Sequence, residues 1–423
     1  MKRFRTIALI FAMLIALAPL TRGSGFLIYE HGAAAQAMAG AFVSIANNPT
    51  AVFHNPAGMV WLPGTQVTLG NTFIIPKGSL ALPNWPDPTY RNVDQADQTF
   101  YAPHVYLTHR LSSRVALGLG VFAPYGLGTE WPEAYPLRYL GTKTDMQTLF
   151  VNPNVAIRLT DNLSIGVGAS YIHSKLSLNL VRLQEVGPYT FDVPASVDGI
   201  KGDSWAPNAS LLYKTSGFSF GLTWRGSFDI KYKGSLALDL VNIPAPYKPF
   251  FPTSGDVETT FKFPDIFTAG VSFNLTEALL LALDVQYFTW NRYDLYTINI
   301  AYPAGYPEAE PEVVTEYWKN SWIYRLGLEY QLTGALALRG GICYDQTPQP
   351  VESMDPNLPD ADRWAWTLGL GYKIGRISID VAYQHEGFKD RLSPNRTIYP
   401  LNLGQGTYKT MAHLIGVSVG FGF

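Results

Sequence analysis

From about Thr65 to the last residue, short polar turns and long loops take strict turns in separating segments in which apolar and polar residues alternate. Six tight turns are legible, at 111–114, 160–163, 214–217, 275–278, 332–335 and 373–376, and each joins two strands. Seven longer stretches rich in Pro, Gly and Asp lie between them, at 78–97, 126–145, 183–202, 238–257, 294–317, 345–362 and 386–408. Thirteen connections require fourteen strands. An even strand number with short turns at one end and long loops at the other is the pattern of an outer-membrane β-barrel, both chain ends lying on the short-turn, periplasmic side.

The two faces of the strands differ in chemistry at a period of two. Leu163, Ile165, Val167, Ala169 and Tyr171 alternate with Ser164, Gly166, Gly168 and Ser170; Leu281, Leu283, Val285 and Tyr287 alternate with Ala282, Asp284 and Gln286. Tyr324, Leu326, Leu328 and Tyr330 alternate with Arg325, Gly327 and Glu329; Ile377, Ile379, Val381 and Tyr383 alternate with Ser378, Asp380 and Ala382. A basic group on the lipid face at the bilayer midplane costs roughly 2–4 kcal/mol. The charged face is therefore expected to look into a polar lumen. A soluble β-sandwich would alternate too, but its connections would not sort by length in this way.

The chain is 47% apolar, yet beyond the N-terminus it has no long apolar run and hence no helical span. Lys2, Arg3 and Arg5 precede an apolar core from Ile7 to Leu17, too short to cross a bilayer, so residues 1–23 read as a secretory signal. The single Cys343 excludes an internal disulfide and is expected to be a small buried or lipid-facing side chain. With 31 basic against 33 acidic residues and no basic run, nothing points to nucleic acid. The seven histidines are scattered without metal-ligand spacing, and no Gly-x-Ser-x-Gly elbow is present; no catalytic, metal or cofactor site is expected.

Residues 24–63 fit no strand. They carry Gly25-Phe26-Leu27-Ile28-Tyr29-Glu30, a small-residue helix around Ala33–Ala41, Asn47-Asn48-Pro49-Thr50-Ala51 and Asn55-Pro56-Ala57-Gly58. Together with Pro124-Tyr125-Gly126-Leu127-Gly128-Thr129-Glu130-Trp131, Phe263-Pro264-Asp265 and Leu358-Pro359-Asp360-Ala361-Asp362-Arg363, these motifs closely resemble the FadL/TodX family of outer-membrane fatty-acid and hydrocarbon channels. The resemblance covers essentially the whole mature chain. It implies an all-β fold: a fourteen-stranded antiparallel barrel over 64–423, plugged by an N-terminal hatch with short helices over 24–63. The motif Phe263-Pro264-Asp265 is expected to start a middle strand, and Leu358–Arg363 to precede the twelfth.

The resemblance further implies that the hatch motif Asn55-Pro56-Ala57-Gly58 meets an inward kink of the third strand at Pro124, Tyr125 and Gly126, opening a gap in the wall. The residues carry the local chemistry for this, since Pro124 removes a ladder donor and Gly126 permits unusual dihedrals. Asn55 could cover backbone groups left bare in lipid. A hydrophobic ligand would adsorb on the apolar loop carrying Leu240, Ile243, Phe250 and Phe251, pass to a pocket near Phe26, Ile28 and Phe53, and leave sideways through the gap. His173, with Lys175 nearby, stands where the fatty-acid branch of the family has a basic head-group residue. Long-chain fatty acids are the first expectation, toluene-like hydrocarbons the second, and a general porin or adhesin barrel a distant third. Outer-membrane lipid and lipopolysaccharide are expected neighbours. The terminal aromatic Phe423 resembles the signal read by the barrel-assembly machinery.

Overall fold

The computed structural model describes residues 25–398 and 401–423; the predicted signal segment lies outside them. The strands form one closed antiparallel barrel. We number them β1 Thr65–Ala81, β2 Phe100–Arg110, β3 Val115–Phe122 resuming as Gly126–Glu130, β4 Lys143–Arg158, β5 Leu163–Val186, β6 Tyr189–Lys214 and β7 Phe218–Arg225 resuming as Phe228–Leu238. There follow β8 Ser254–Phe263 resuming as Ile266–Asn274, β9 Leu279–Phe288 with Leu295–Ala301, β10 Glu312–Thr315 with Ser321–Gln331, β11 Leu336–Asp345, β12 Arg363–Ile374, β13 Ile377–Phe388 and β14 Thr407–Gly422. Each pairs with its sequence neighbour, and β1 closes the ring on β14 from Gln66↔Gly422 to Ala81↔Thr407.

All six tight turns lie where the pattern places them. One long loop does not exist. Between 183 and 202 the ladder of β5 and β6 runs on to a two-residue turn at Gly187 and Pro188, with Gly187 at φ 61°. Alternation continues through Leu183, Phe191 and Val193, so this Pro/Gly-rich stretch is an extended hairpin. A second difference is that Phe263-Pro264-Asp265 interrupts β8 in mid-course and does not begin a strand.

The expected faces are the observed ones. Ser164 and Ser170 are buried while Val167 and Tyr171 are exposed. Outward aromatic pairs form a band toward the long connections, among them Tyr171–Trp205 at 5.4 Å, Tyr287–Trp322 at 4.6 Å and Tyr344–Trp364 at 4.6 Å. Tyr213, Phe218, Phe273, Tyr330 and Tyr372 make a second band near the short turns. Two aromatic girdles flanking an apolar belt are what a bilayer selects, because amphipathic rings favour its interfaces.

Residues 25–62 are enclosed by the strands. Only α1 Ala33–Gln36, α2 Ala51–His54 and a 3-10 turn at Pro56–Trp61 are helical, so most backbone groups here lack a regular partner. Buried groups must still be satisfied, and inward polar side chains of the wall do so from all sides. Thr72 of β1 donates to Glu30 O at 2.7 Å, Ser164 of β5 to Ala57 O at 2.7 Å and Thr367 of β12 to Ala37 O at 2.8 Å. Asp284 of β9 accepts from Phe42 N at 2.9 Å and Val43 N at 3.0 Å, and Ser418 of β14 accepts from Ala33 N at 2.9 Å.

Wall glycines allow the close approach. A Cβ on Gly341 of β11 would lie 2.7 Å from Met38 C, and one on Gly369 of β12 would lie 2.4 Å from Ala37 Cβ. Ala33 and Ala37 in turn pack on Ala382 of β13. Cys343 is buried on the inward face, where its Sγ accepts from Tyr29 OH at 3.6 Å.

Candidate functional site

The wall is incomplete at β3. Its pairing with β2 ends at Val121↔Val105, so Phe100–His104 of β2 have β1 on one side and no strand on the other. Both edges of the break carry proline, Pro103 on β2 and Pro124 on β3, and neither can donate a ladder hydrogen bond. Across β4 the register also slips, from Phe122↔Phe150 to Gly126↔Gln147.

The N-terminal segment replaces the missing neighbour. Ile28 N donates to Pro124 O at 2.8 Å, Gly126 N donates to Phe26 O at 3.2 Å, and Leu27 bridges Tyr125. Thr148 of β4 satisfies the rest of the kink, accepting from Tyr125 N at 3.1 Å and donating to Tyr125 O at 2.7 Å. Side chains close what the backbone leaves open. A Cβ on Gly126 would meet Ile28 Cδ1 at 2.9 Å, and one on Gly128 would strike the Phe100 ring.

A cavity of about 720 Å³ runs through this break, lined by Phe26 and Ile28 inside, Phe100 and Gly126 at the edges, and Tyr101 and Leu149 outside. Inside the wall, Phe26 sits in an aromatic box, 5.0 Å from Trp290, 5.7 Å from Phe263 and from Trp318, and 6.1 Å from Tyr125. Beside Tyr125 lies a small cavity of about 50 Å³, lined by Phe53, His54, Arg225, Asp284 and Arg325. It has room for a few waters. Arg225 donates to Phe53 O and lies 4.7 Å from that ring's centre. Arg325, 5% exposed, lies 4.4 Å over the Tyr29 ring with Nε and Nη2 lacking hydrogen-bond partners. Burial holds His54 neutral, its pKa pushed down to about 3, so the cations here are the two arginines.

Glu30 lies behind this region. Gln384 Nε2 donates to Glu30 Oε1 and to Glu386 Oε1, both at 2.8 Å. Burial first, and the Glu386 carboxylate second, push the Glu30 carboxyl up to about 7.

Several expected site residues lie elsewhere. Asn55 does not cover the kink: its Nδ2 donates to Val43 O at 2.8 Å and Leu211 O at 3.0 Å, its Oδ1 accepts from Ala57 N at 3.1 Å, and it caps the 3-10 turn. Pro56, Ala57 and Gly58 are buried with it, Ala57 N also reaching Ser210 of β6, because the turn packs on β4, β5 and β6. His173 and Lys175 do line the breach cavity with Phe26, Ile28 and Gly126, but from the outer face of the wall and not from the lumen. The ladder of β5 shifts register only beyond Leu176, so both share the outward parity of Tyr171, and His173 Nδ1 meets Asp203 at 2.8 Å. In the apolar loop, Leu240 and Ile243 are buried against Val193 of the extended hairpin; Phe251 is half-buried and Phe250 is 72% exposed. Phe26, Ile28, Phe53, Pro124, Tyr125 and Gly126 do come together. Arg225, Pro103 and Phe100 went unread as site residues. The one available signal was an arginine or proline at a strand position whose partner strand was still unknown.

A closed barrel with two aromatic girdles, an occupied lumen and a side breach defines an outer-membrane transport protein. Residues 14–423 match the family described as outer membrane protein transport protein (OMPP1/FadL/TodX), and the chain belongs to that family. Outer membrane protein P1 of Haemophilus influenzae (strain ATCC 51907 / DSM 11121 / KW20 / Rd) is 26% identical over 76% of this chain and 75% of its own length. The long-chain fatty acid transport protein of Escherichia coli O6:H1 is 24% identical over 81% and 82%. Among solved structures, a Pseudomonas aeruginosa FadL homologue shares the fold at TM-score 0.81 and 19% identity, over 94% of this chain and 99% of that one. The Ralstonia pickettii toluene transporter TbuX does so at 0.70 and 19%, over 93% and 98%. The family is one of transport channels, and the protein is not an enzyme.

Proposed function

We propose that the protein takes up hydrophobic compounds passively, with long-chain fatty acids as the main substrate, and that residues 24–63 act as the hatch. The carrying observation is the cavity through the wall at the Pro103/Pro124 break, closed by Phe26–Ile28 of the N-terminal segment. A ligand adsorbs at exposed apolar loop residues such as Phe250, enters the aromatic box around Phe26, and leaves laterally between Phe100 and Gly126 when Phe26–Ile28 withdraw. The exit lies level with Tyr101 and is separated by β4 from the Tyr171–Trp205 girdle, which supports an exit at the outer-leaflet interface. The termini face the periplasm, and exposed Phe423 serves the assembly machinery.

Two arginines beside Tyr125 favour an anionic head group over a neutral hydrocarbon. A carboxylate takes up the unpartnered Nε and Nη2 donors of Arg325 at charge-assisted strength. A long relative named for fatty-acid transport accords with this choice. The second reading, toluene-like hydrocarbons, rests on the aromatic box, which needs no charged partner.

The test is uptake of labelled oleate and labelled toluene by a Gram-negative host lacking its own channel, comparing wild type, Gly126→Pro and empty vector. Gly126→Pro removes the donor to Phe26 O. Oleate uptake that is lost in the mutant supports the proposal. Toluene uptake alone selects the second reading, and neither ligand above background overturns both.

A further inference from the structure

Three lysines stand in one row across the outside of the barrel. Lys175 of β5 faces Lys201 of β6, which faces Lys233 of β7, and all three are exposed. Like charges directly opposite one another on neighbouring strands repel, and here the arrangement occurs at two successive pairings. Glu258 neutralises the β7 end, meeting Lys233 at 3.0 Å and also Lys231. Among the described residues Lys175 and Lys201 have no ion-pair partner. The other acids of the patch are engaged: Asp203 accepts from Tyr171 and His173, Asp145 from Gln147, and Asp198 from Ser177.

The height of the row is informative. Outward residues along β6 run Pro207, Trp205, Asp203, Lys201, and Trp205 is 64% exposed in the aromatic girdle beside Tyr171. Four residues beyond Trp205 is about 13 Å along the strand, or about 10 Å along the barrel axis at a tilt of ~40°. Lysine stems extend back toward the interface with their charge kept in the polar layer. That is the layer of lipid phosphates. The row also adjoins the breach, since Gly126 faces Gln147 and Gln147 faces Lys175.

We propose that Lys175, Lys201 and Lys233 bind the phosphate of an outer-leaflet glycolipid whose acyl chains lie on the apolar wall below, against Tyr171 and Trp205. One phosphate satisfies several ammonium groups at once and removes their repulsion. The leaflet rests on the orientation proposed above, but the charge geometry does not. The lipid thus held lines the exit, so its acyl chains are the first surface a departing ligand meets.

The test is native mass spectrometry of the full mature barrel in detergent with diphosphoryl lipid A, its dephosphorylated form, and inorganic phosphate. The wild type is expected to retain diphosphoryl lipid A, and K175Q/K201Q to retain it at least tenfold less. K77Q/K409Q removes two rim lysines that already meet Asp97 and Asp390, and should retain lipid as wild type does. Equal retention by wild type and K175Q/K201Q, or by the phosphorylated and dephosphorylated lipids, overturns the proposal. So does displacement of the lipid by millimolar phosphate, which would make free phosphate the ligand. Protease cleavage at the 187–199 hairpin on intact cells reports the orientation separately, and oleate uptake reports the channel reading.

Discussion

The amide of Ile28 donates to the carbonyl of Pro124 at 2.8 Å. The barrel is thus sealed at its weakest point by a residue that precedes every strand. Sealing by two backbone hydrogen bonds, each worth about 1 kcal/mol net, makes the seal far weaker than a strand ladder and open to displacement.

Removal of residues 24–60 should turn a closed barrel into a conducting one. In planar bilayers the full chain is expected to show little ion current and the truncated chain large steps. Equal currents would mean that the segment does not occlude the lumen.

Arg225 and Arg325 should distinguish acid from hydrocarbon. Loss of a charged hydrogen bond costs about 1.5–3 kcal/mol, so Arg225→Met with Arg325→Met is expected to weaken oleate binding by tenfold or more and to spare toluene. Binding assays on the folded double mutant in detergent measure this. Equal loss of both ligands would assign the arginines a packing role.

Glu30 should make the segment's seating depend on pH. Its folded value of about 7 exceeds the ordinary 4.5, because burial and Glu386 disfavour the charged form. An acid with a raised folded value stabilises the packed form while it is protonated, and that contribution is lost as pH rises from about 4.5 through about 7. Buried Cys343, in contact with Tyr29, is a native probe of this loss. Maleimide labelling of wild type and Glu30→Gln should match at pH 5, with wild type several-fold faster at pH 8. Parallel profiles would remove Glu30 from control of the segment.

Two adjacent glycines of β11 should behave oppositely. A Cβ on Gly341 meets Met38 C at 2.7 Å and Ala39 Cβ at 2.9 Å, whereas one on Gly340, facing outward, finds nothing nearer than 3.5 Å. Overpacking costs typically 1–3 kcal/mol. Gly341→Ala is therefore expected to lower the temperature at which the folded, heat-modifiable band is lost, with Gly340→Ala unchanged.

The barrel was legible because its evidence is repetitive: six turns and a period of two survive any single misreading. The 183–202 hairpin was misread because Gly187-Pro188 looks like loop punctuation, although alternation persists on both sides of it. The breach was legible from Pro124, but its seal was not. Asn55 has suitable groups for the task, yet Val43, Leu211 and Ala57 occupy all of them. Which backbone meets Pro124 depends on where the chain enters the lumen, a long-range matter that local chemistry does not encode. The outward direction of His173 followed from simple parity with Tyr171; an assumed bulge obscured it.

The inward glycines hold one more meaning. Gly166 lies against Ala57 N, Gly221 against Val43 O, Gly341 against Met38 and Gly369 against Ala37. These four positions lie on four different strands and face three stretches of the first sixty residues, around Ala37–Met38, Val43 and Ala57. The wall is in effect a cast of what it encloses, written into strands that lie far along the chain from it. A chain with the same turns, girdles and strand count, but with valine or leucine at those places, would describe a wider, emptier tube.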